Sequence, residues 1–446
     1  MIRNGMTLDI RQGALALGVA VLAIAIAAPA VSAASAKTKR ASEKTGGIEA
    51  NGGVSSMPSV SGNGRFVAFE SSFVNLVNND TNGLTDIFVY DRVKKRTRRV
   101  NLRSNGAEAK IGHSYSPSIS ANGRFVAFWS HATNLVKNDD NARPDVFVHD
   151  RKTKKTRRVS VKSNGNQGKD GSAFPSISAN GRFVAFQSAA RNLVRKDTNN
   201  MTDVFVHDRA TKRTTRVNRR SNGAQAKNGP SDEASISDDG RYVAFRSGAT
   251  NLVKKDDNSL TDAFVHDRRT GKTRRVNLRK NGSQVTAGAP SGIAISGNGR
   301  FIAFASESKD LVPGDSNDRA DVFVRDRVKN KTRRVSKAND GSQADANSWE
   351  PSISTTGRYV SFRSYAENLV GADDNGLIDV FVRDRSKKKT KRVSVATGGT
   401  QAVGGGSWEN AISGDGRFVA YRSDATNLIA ADGNGLPDIF LRGPLH

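Results

Sequence analysis

The chain has 446 residues, enough for two or three ordinary domains or for one large repetitive one. It contains no cysteine, which excludes disulfide frameworks, cysteine-ligated metals and cysteine nucleophiles. Lys and Arg outnumber Asp and Glu by 70 to 43, and the resulting formal net charge of +27 implies surroundings or partners of negative sign without saying which.

At the N-terminus, Arg3 and Arg11 precede an apolar run from Gly13 to Ala33 that ends in small residues. This is the pattern of an export signal occupying residues 1–33, with Val31 and Ala33 at the −3 and −1 positions of the cleavage site. The alternative is an uncleaved anchor, because the run is nearly long enough to span a bilayer; Pro29 and Ser32 near its end favour cleavage. The expected product is secreted or periplasmic, with no membrane segment after cleavage.

From Gly64 onward a single pattern recurs. "GRFVAF" stands at Gly64, Gly123 and Gly181, "GRYVAF" at Gly240, "GRFIAF" at Gly299, "GRYVSF" at Gly357 and "GRFVAY" at Gly416. The intervals are 59, 58, 59, 59, 58 and 59 residues, and a period so even governs the fold. Each copy, the last one cut short, carries four strand signals: "PSIS", an Asn-Gly turn, "RFVAFWS", a loop, "DVFVHDR", a basic turn and "TRRVSV", as in the second copy. Phe125 to Phe128 and Val146 to Val148 are apolar without alternation, so the middle strands must be covered on both faces. Blades packed between neighbouring blades satisfy this, and four-stranded blades repeated around an axis make a β-propeller. The last copy stops after its third strand, while "AKTKRASEKTGG" from Ala36 to Gly47 aligns with "KKTRRVSVKSNG" from Lys154 to Gly165. The expected fold is therefore all-β, a seven-bladed propeller over residues 34–446 whose N-terminal strand completes the last blade and leaves no open edge.

"PSISANGRFVAF" followed by "DVFVHDRKTKKTRRVS" resembles the WD40-like (PD40) repeat of TolB-type propellers. The resemblance covers nearly the whole chain after the signal, and it implies fold more than function, because propellers host many unrelated activities. The TolB family has six blades behind a separate N-terminal domain and works in the bacterial envelope with lipoprotein partners. Seven copies here, and a closing strand directly after the signal, mean that the TolB role does not transfer.

Between its second and third strands every copy carries Asp-x-Asn-x-x-x-Asp: Asp80/Asn82/Asp86, Asp139/Asn141/Asp145, Asp197/Asn199/Asp203, Asp256/Asn258/Asp262, Asp315/Asn317/Asp321, Asp373/Asn375/Asp379 and Asp432/Asn434/Asp438. Oxygen ligands at positions 1, 3 and 7 suit a hard cation, so structural Ca²⁺ is one expectation. The loops are similar to those of integrin-type propellers but lack the Asp at position 5, where Leu84, Arg143 or Met201 stands. The other expectation is that the side chains bond backbone amides and hold the reversal.

The turn between strands three and four, and the outer strand beyond it, are basic in every complete copy, as in Lys94, Lys95, Arg96, Arg98 and Arg99. Such a ring suits an anionic cell-surface polymer, or serves solubility and edge protection. Asp is expected on the opposite face. Nucleic acid is not expected, because no aromatic platform is interleaved with these charges.

A specific site belongs where the copies disagree, and the returns into strand one differ most. They place Tyr115, Asp232, Glu233, Trp349, Glu350, Trp408 and Glu409 near the mouth of the central channel, with the two tryptophans in adjacent blades. These residues suit a carbohydrate or an envelope protein. Alternatively, Glu350 and Glu409 serve as acid and base of a carbohydrate-active hydrolase or lyase, or each Trp and Glu merely packs over its own blade. His149, His207 and His266 recur one blade apart and read as surface positions. The overall expectation is a monomeric binding or interaction module.

Overall fold

The structure is a computed structural model that describes residues 35–430 and 432–446. The expected export signal at residues 1–33 lies outside the described residues. Among the described residues there are seven four-stranded antiparallel sheets and no helix. The first blade runs Ser55–Val60, Phe66–Ser71, Asp86–Asp91 and Arg96–Arg99, from the axis outward. The other blades repeat this plan. In the seventh, Lys37–Arg40 pairs antiparallel with Asp438–Gly443, Lys37 opposite Gly443 and Arg40 opposite Phe440, so the ring closes as expected.

The unalternated strands are apolar on both sides because the core lies between blades. Val126 and Phe128 of blade 2 pack against Ala68, Ile87 and Val89 of blade 1, and the same grouping recurs around the ring. A single blade has both faces apolar and no core of its own, so it needs its neighbours in order to fold.

The Gly-Arg-aromatic motif rivets these interfaces. Gly123 has φ +70°, and a Cβ there would sit 2.0 Å from the Phe66 ring of the preceding blade, so only glycine fits. Arg124 forms a fork with Asp150 at the end of the third strand, through Nε at 2.9 Å and Nη2 at 2.7 Å. The aromatic ring is held between two guanidinium groups: Arg65 of its own blade lies 4.9 Å from the Phe66 centroid, and Arg151 of the next blade 4.4 Å. The last blade has Pro444 where the others have that second arginine, and its His446 stacks on Tyr359 at 4.4 Å instead.

Two further rings hold the blades in register. The turns between strands one and two bond in sequence around the axis, from Gly62 N to Ala121 O at 2.9 Å through to Asp415 N to Gly62 O at 2.9 Å. At the circumference, the connection leaving each outer strand lies against the next blade's outer strand. The Thr156 amide donates to Ser104 Oγ at 3.1 Å, and the Thr156 hydroxyl donates to Leu102 O. Outer edges are thus covered by backbone as well as by charge.

Candidate functional site

The seven acidic loops are the first candidate. In blade 1, Asn82 Oδ1 accepts from the Leu84 amide, two residues on, at 2.9 Å. Asn141, Asn199 and Asn258 accept in the same way from Arg143, Met201 and Leu260, at 3.0, 3.2 and 3.2 Å. Asn317, Asn375 and Asn434 accept from Arg319, Leu377 and Leu436, at 3.3, 3.0 and 2.9 Å. Each Asn amide group donates to a carbonyl of the connection that follows, such as Ala109 O at 3.2 Å from Asn82 and Gly168 O at 2.9 Å from Asn141. The asparagines therefore build the turn, and their oxygens are already committed.

Between the two aspartates of each loop lies a guanidinium from the outer strand. Arg99 Nη1 is 2.7 Å from Asp80 and 2.8 Å from Asp86. Arg158 joins Asp139 to Asp145, at 3.1 and 3.0 Å, and Arg216 joins Asp197 to Asp203, at 3.0 and 2.9 Å. Arg275 joins Asp256 to Asp262, Arg334 joins Asp315 to Asp321, and Arg392 joins Asp373 to Asp379. In blade 7 the closing strand supplies Arg40, which pairs with Glu49, Asp432 and Asp438. Asp203 and Asp145 also accept from the connection beyond the outer strand, through Asn218 Nδ2 at 2.5 Å and Ser160 Oγ at 2.5 Å.

The side chains at positions 1, 3 and 7 expected to hold Ca²⁺ are thus engaged within the protein. The donor set does not fit Ca²⁺ as it stands, because the carboxylates already share an internal cation and the third oxygen points at an amide. Burial pushes Asp80, Asp145, Asp197 and Asp321 up to about 6, against the pull of the neighbouring arginine. The repeated aspartates add little surface charge, the side chains of Asp80 and Asp86 being only 2% and 1% exposed, whereas Asp140, Asp257 and Asp374 in the equivalent loops are exposed.

The histidines are a further correction. His149, His207 and His266 are buried, at 5%, 5% and 1% exposure, rather than on the surface. The Thr156 hydroxyl spends its proton on Leu102 O, so His149 Nδ1, 2.9 Å from that hydroxyl, must be the donor to it. Arg383 Nη1 does the same to Thr390 at 2.8 Å. The position needs a donor, not a metal ligand. Burial lowers all three imidazoles to about 4.

The channel mouth is the remaining candidate, and its backbone is repeated sevenfold. Each inner strand breaks register with its neighbour near its start. The residue at the break is left-handed in every blade: Met57, Ser116, Phe174, Glu233, Gly292, Glu350 and Glu409 have φ between 47° and 62°. Only one of the seven is glycine, so six blades carry backbone strain at this ring. The bulge frees an amide facing the neighbouring blade, and glutamates accept it. Glu409 Oε2 takes Met57 N at 2.7 Å, Glu70 Oε2 takes Ser116 N at 2.6 Å, and Glu233 Oε2 takes Gly292 N at 2.8 Å.

The residue before each bulge faces one on strand two. Tyr115 pairs with Trp129, Asp232 with Arg246, Trp349 with Arg363 and Trp408 with Arg422. The Trp349 and Trp408 rings each lie beneath their own blade's arginine, at 5.6 and 5.5 Å, and among the described residues no ring contact joins them. Arg363 also pairs with Glu350 at 2.8 Å, and Arg246 with Asp232 at 2.8 Å and Glu233 at 3.1 Å. Across blades 2 and 3, Tyr115 lies 4.7 Å from Trp129, and Trp129 lies 5.8 Å from Phe174. Trp129 Nε1, Glu350 Oε2 and Arg363 Nε are buried here without a hydrogen-bond partner. Burial raises Glu70, Glu233 and Glu350 above the ordinary carboxylate range.

Reading strand one alone missed Trp129, Glu70 and the three arginines of strand two, and Phe174 of strand one was passed over. The signal was present: the residue after the "VAF" core reads Glu, Trp, Gln, Arg, Ala, Arg, Arg along the seven copies.

No known family pattern matches the chain, and no curated protein does either. Solved structures do. The propeller domain of the trilobed protease from Pyrococcus furiosus has a TM-score of 0.52 at 11% identity, over 87% of this chain and 95% of that one. Oligogalacturonate lyase from Vibrio parahaemolyticus has a TM-score of 0.50 at 10% identity, over 92% and 90%. TolB from Acinetobacter baumannii has a TM-score of 0.39 at 15% identity, and this chain spans 58% of its length. The propeller fold is shared with the first two, and at these identities nothing more follows.

Proposed function

We propose that this protein is an exported binding module that holds a saccharide-containing ligand of the cell envelope or extracellular space at the channel mouth. The observation that carries the reading is the ring of seven equivalent bulges: one backbone, held at a cost in strain, presenting different side chains in each blade. Trp349 with Arg363 and Trp408 with Arg422 combine an aromatic face with a guanidinium, which suits a sugar ring bearing an acidic group. Export rests on the N-terminal pattern. Binding rather than turnover follows from the work the carboxylates already do. Glu70, Glu233 and Glu409 hold the neighbouring blade's backbone, and Glu350 is paired with Arg363.

One observation favours a carbohydrate-active enzyme instead: burial raises Glu350, as a general acid requires. A panel of neutral and acidic polysaccharides separates the two. For the binding module, Trp349→Ala with Trp408→Ala lowers affinity at least 10-fold and no polymer is cleaved. Cleavage by the wild type that vanishes in Glu350→Gln with Glu409→Gln would establish the enzyme and sink the module.

A further inference from the structure

Five concavities lie away from the mouth, between blades at the circumference, with volumes of about 410 to 1090 Å³. Outer strands splay as they leave the axis, and their alternating side chains separate into two rows. Thr97 and its equivalents turn inward and are buried, while Arg96 and Arg98 and their equivalents are exposed, apart from the half-buried Thr215. Every one of these outward positions is Lys or Arg, closing strand included, except Thr215. Among the described residues none of these side chains forms an ion pair.

In three of these grooves the opposite wall belongs to the next blade, and it is basic too. Arg98 and Arg151 line one cavity, Arg274 and Arg327 another, Arg333 and Arg385 a third. Arg151 and Arg385 are fixed: their guanidinium groups bond the Gly123 and Gly357 carbonyls and stack on the aromatic ring of the blade before. Burial, with Arg98 facing one and Arg333 the other, lowers both to about 10. Carboxylates on these walls are few and already engaged. Glu108 is paired with Arg99 and Asp208 with Arg182, while Asp257 accepts from Gln284 and Asp340 from its own turn at Ser342. Guanidinium groups on opposite walls of a groove repel one another, and an anion between them removes that repulsion.

We propose that the inter-blade grooves form a belt of anion sites around the propeller, which takes a linear acidic polysaccharide whose carboxylate or sulfate groups seat between the paired arginines. Recurrence in three grooves, two of them adjacent, fits a repeating polymer, since each further groove engaged adds an intramolecular contact. A flat membrane reaches one face of a disc, not its rim. No Phe, Tyr or Trp lines these five cavities, so nucleobases have nothing to stack upon. This belt is separate from the mouth and does not depend on the function proposed for it.

The test is titration of the intact protein with heparin oligosaccharides of graded length. Single-stranded oligothymidylate of matched charge and phosphatidylglycerol vesicles form the other arms. Affinity for heparin should rise with length until several grooves are spanned, and should fall more than 10-fold between 50 and 500 mM salt. Arg98→Glu, Arg274→Glu and Arg333→Glu together should lower affinity at least 10-fold. Lys110→Glu, Lys137→Glu and Lys169→Glu, an equal change of charge outside the grooves, should lower it less than 3-fold. The same three arginines changed to Gln guard against misfolding and should lose less than the reversal, in the same direction. Equal losses in the groove and control sets would reduce the belt to general charge and overturn the proposal. Tighter binding of oligothymidylate, or of vesicles, would overturn the choice of polymer.

Discussion

Replacing Arg334 with Met tests the claim that each acidic loop is completed by a guanidinium. Arg334 Nη1 lies 2.8 Å from Asp321 and 3.3 Å from Asp315, and the three side chains are 6%, 0% and 4% exposed. Methionine fills much of the same volume but leaves two carboxylates facing each other away from water. Breaking a buried pair in this way costs about 3–5 kcal/mol. The pH dependence follows from Asp321, which burial pushes to about 6 even beside Arg334. Its folded value exceeds the unfolded one of ~3.9, so its contribution to stability is full below the unfolded value and is lost as pH rises through about 6. Without the arginine both carboxyls move higher still, and the deficit should be largest at pH 8 and smaller by about 1 kcal/mol or more at pH 5. Urea unfolding at the two pH values measures this. In addition, millimolar Ca²⁺ should stabilise Arg334→Met, by up to ~2.7 kcal/mol at a hundredfold excess over Kd, and leave the wild-type midpoint unmoved. A deficit below about 1 kcal/mol at both pH values, or a wild-type midpoint raised by Ca²⁺, would refute the reasoning.

The remaining predictions concern the scaffold. Gly181→Ala should destabilise by about 2–5 kcal/mol, from a left-handed alanine plus a Cβ driven into the Phe125 ring. Gly165→Ala, equally left-handed but with open space around it, should cost only about 1–2 kcal/mol, and urea midpoints for the two decide whether sterics or φ dominates. His207 is held neutral by burial, with its value lowered to about 4, so its contribution is present above the unfolded value of ~6.5 and lost as pH falls to 4. His207→Gln keeps a donor for Thr214 but cannot titrate, so the difference between variant and wild type should move in the variant's favour by up to ~3 kcal/mol between pH 7 and pH 4; parallel pH profiles would contradict a buried neutral imidazole. Deleting Lys37–Arg40 strips the partner from Asp438–Gly443 and the guanidinium from Asp432 and Asp438. That chain should lose cooperative unfolding and regain it when a peptide spanning Ala36 to Gly47 is added, as followed by near-ultraviolet circular dichroism.

Much of this molecule is one-dimensional information repeated seven times, and that part was legible. The period, the four strands per copy and the unalternated middle strands determined a closed propeller, because apolar residues on both sides of a strand require a neighbour on each side. The displaced outer strand was legible too, since its partner is missing from the other end of the chain. What the sequence could not rank was the partner of each charge. Asp80 and Arg99 are 19 residues apart, and only the antiparallel return of the outer strand sets one against the other and turns an apparent cation loop into a self-contained ion pair. The histidines failed for a related reason: alternation along a strand does not reveal that the next layer of chain will cover it. At the mouth, the variable residues of strand one were visible, but Trp129, Arg363 and Arg422 became part of the site only through the register between strands one and two. Repetition along the chain determined the architecture by itself, whereas the meeting of residues from different strands and different blades, which decides what each charge and ring can bind, belongs to the tertiary structure alone.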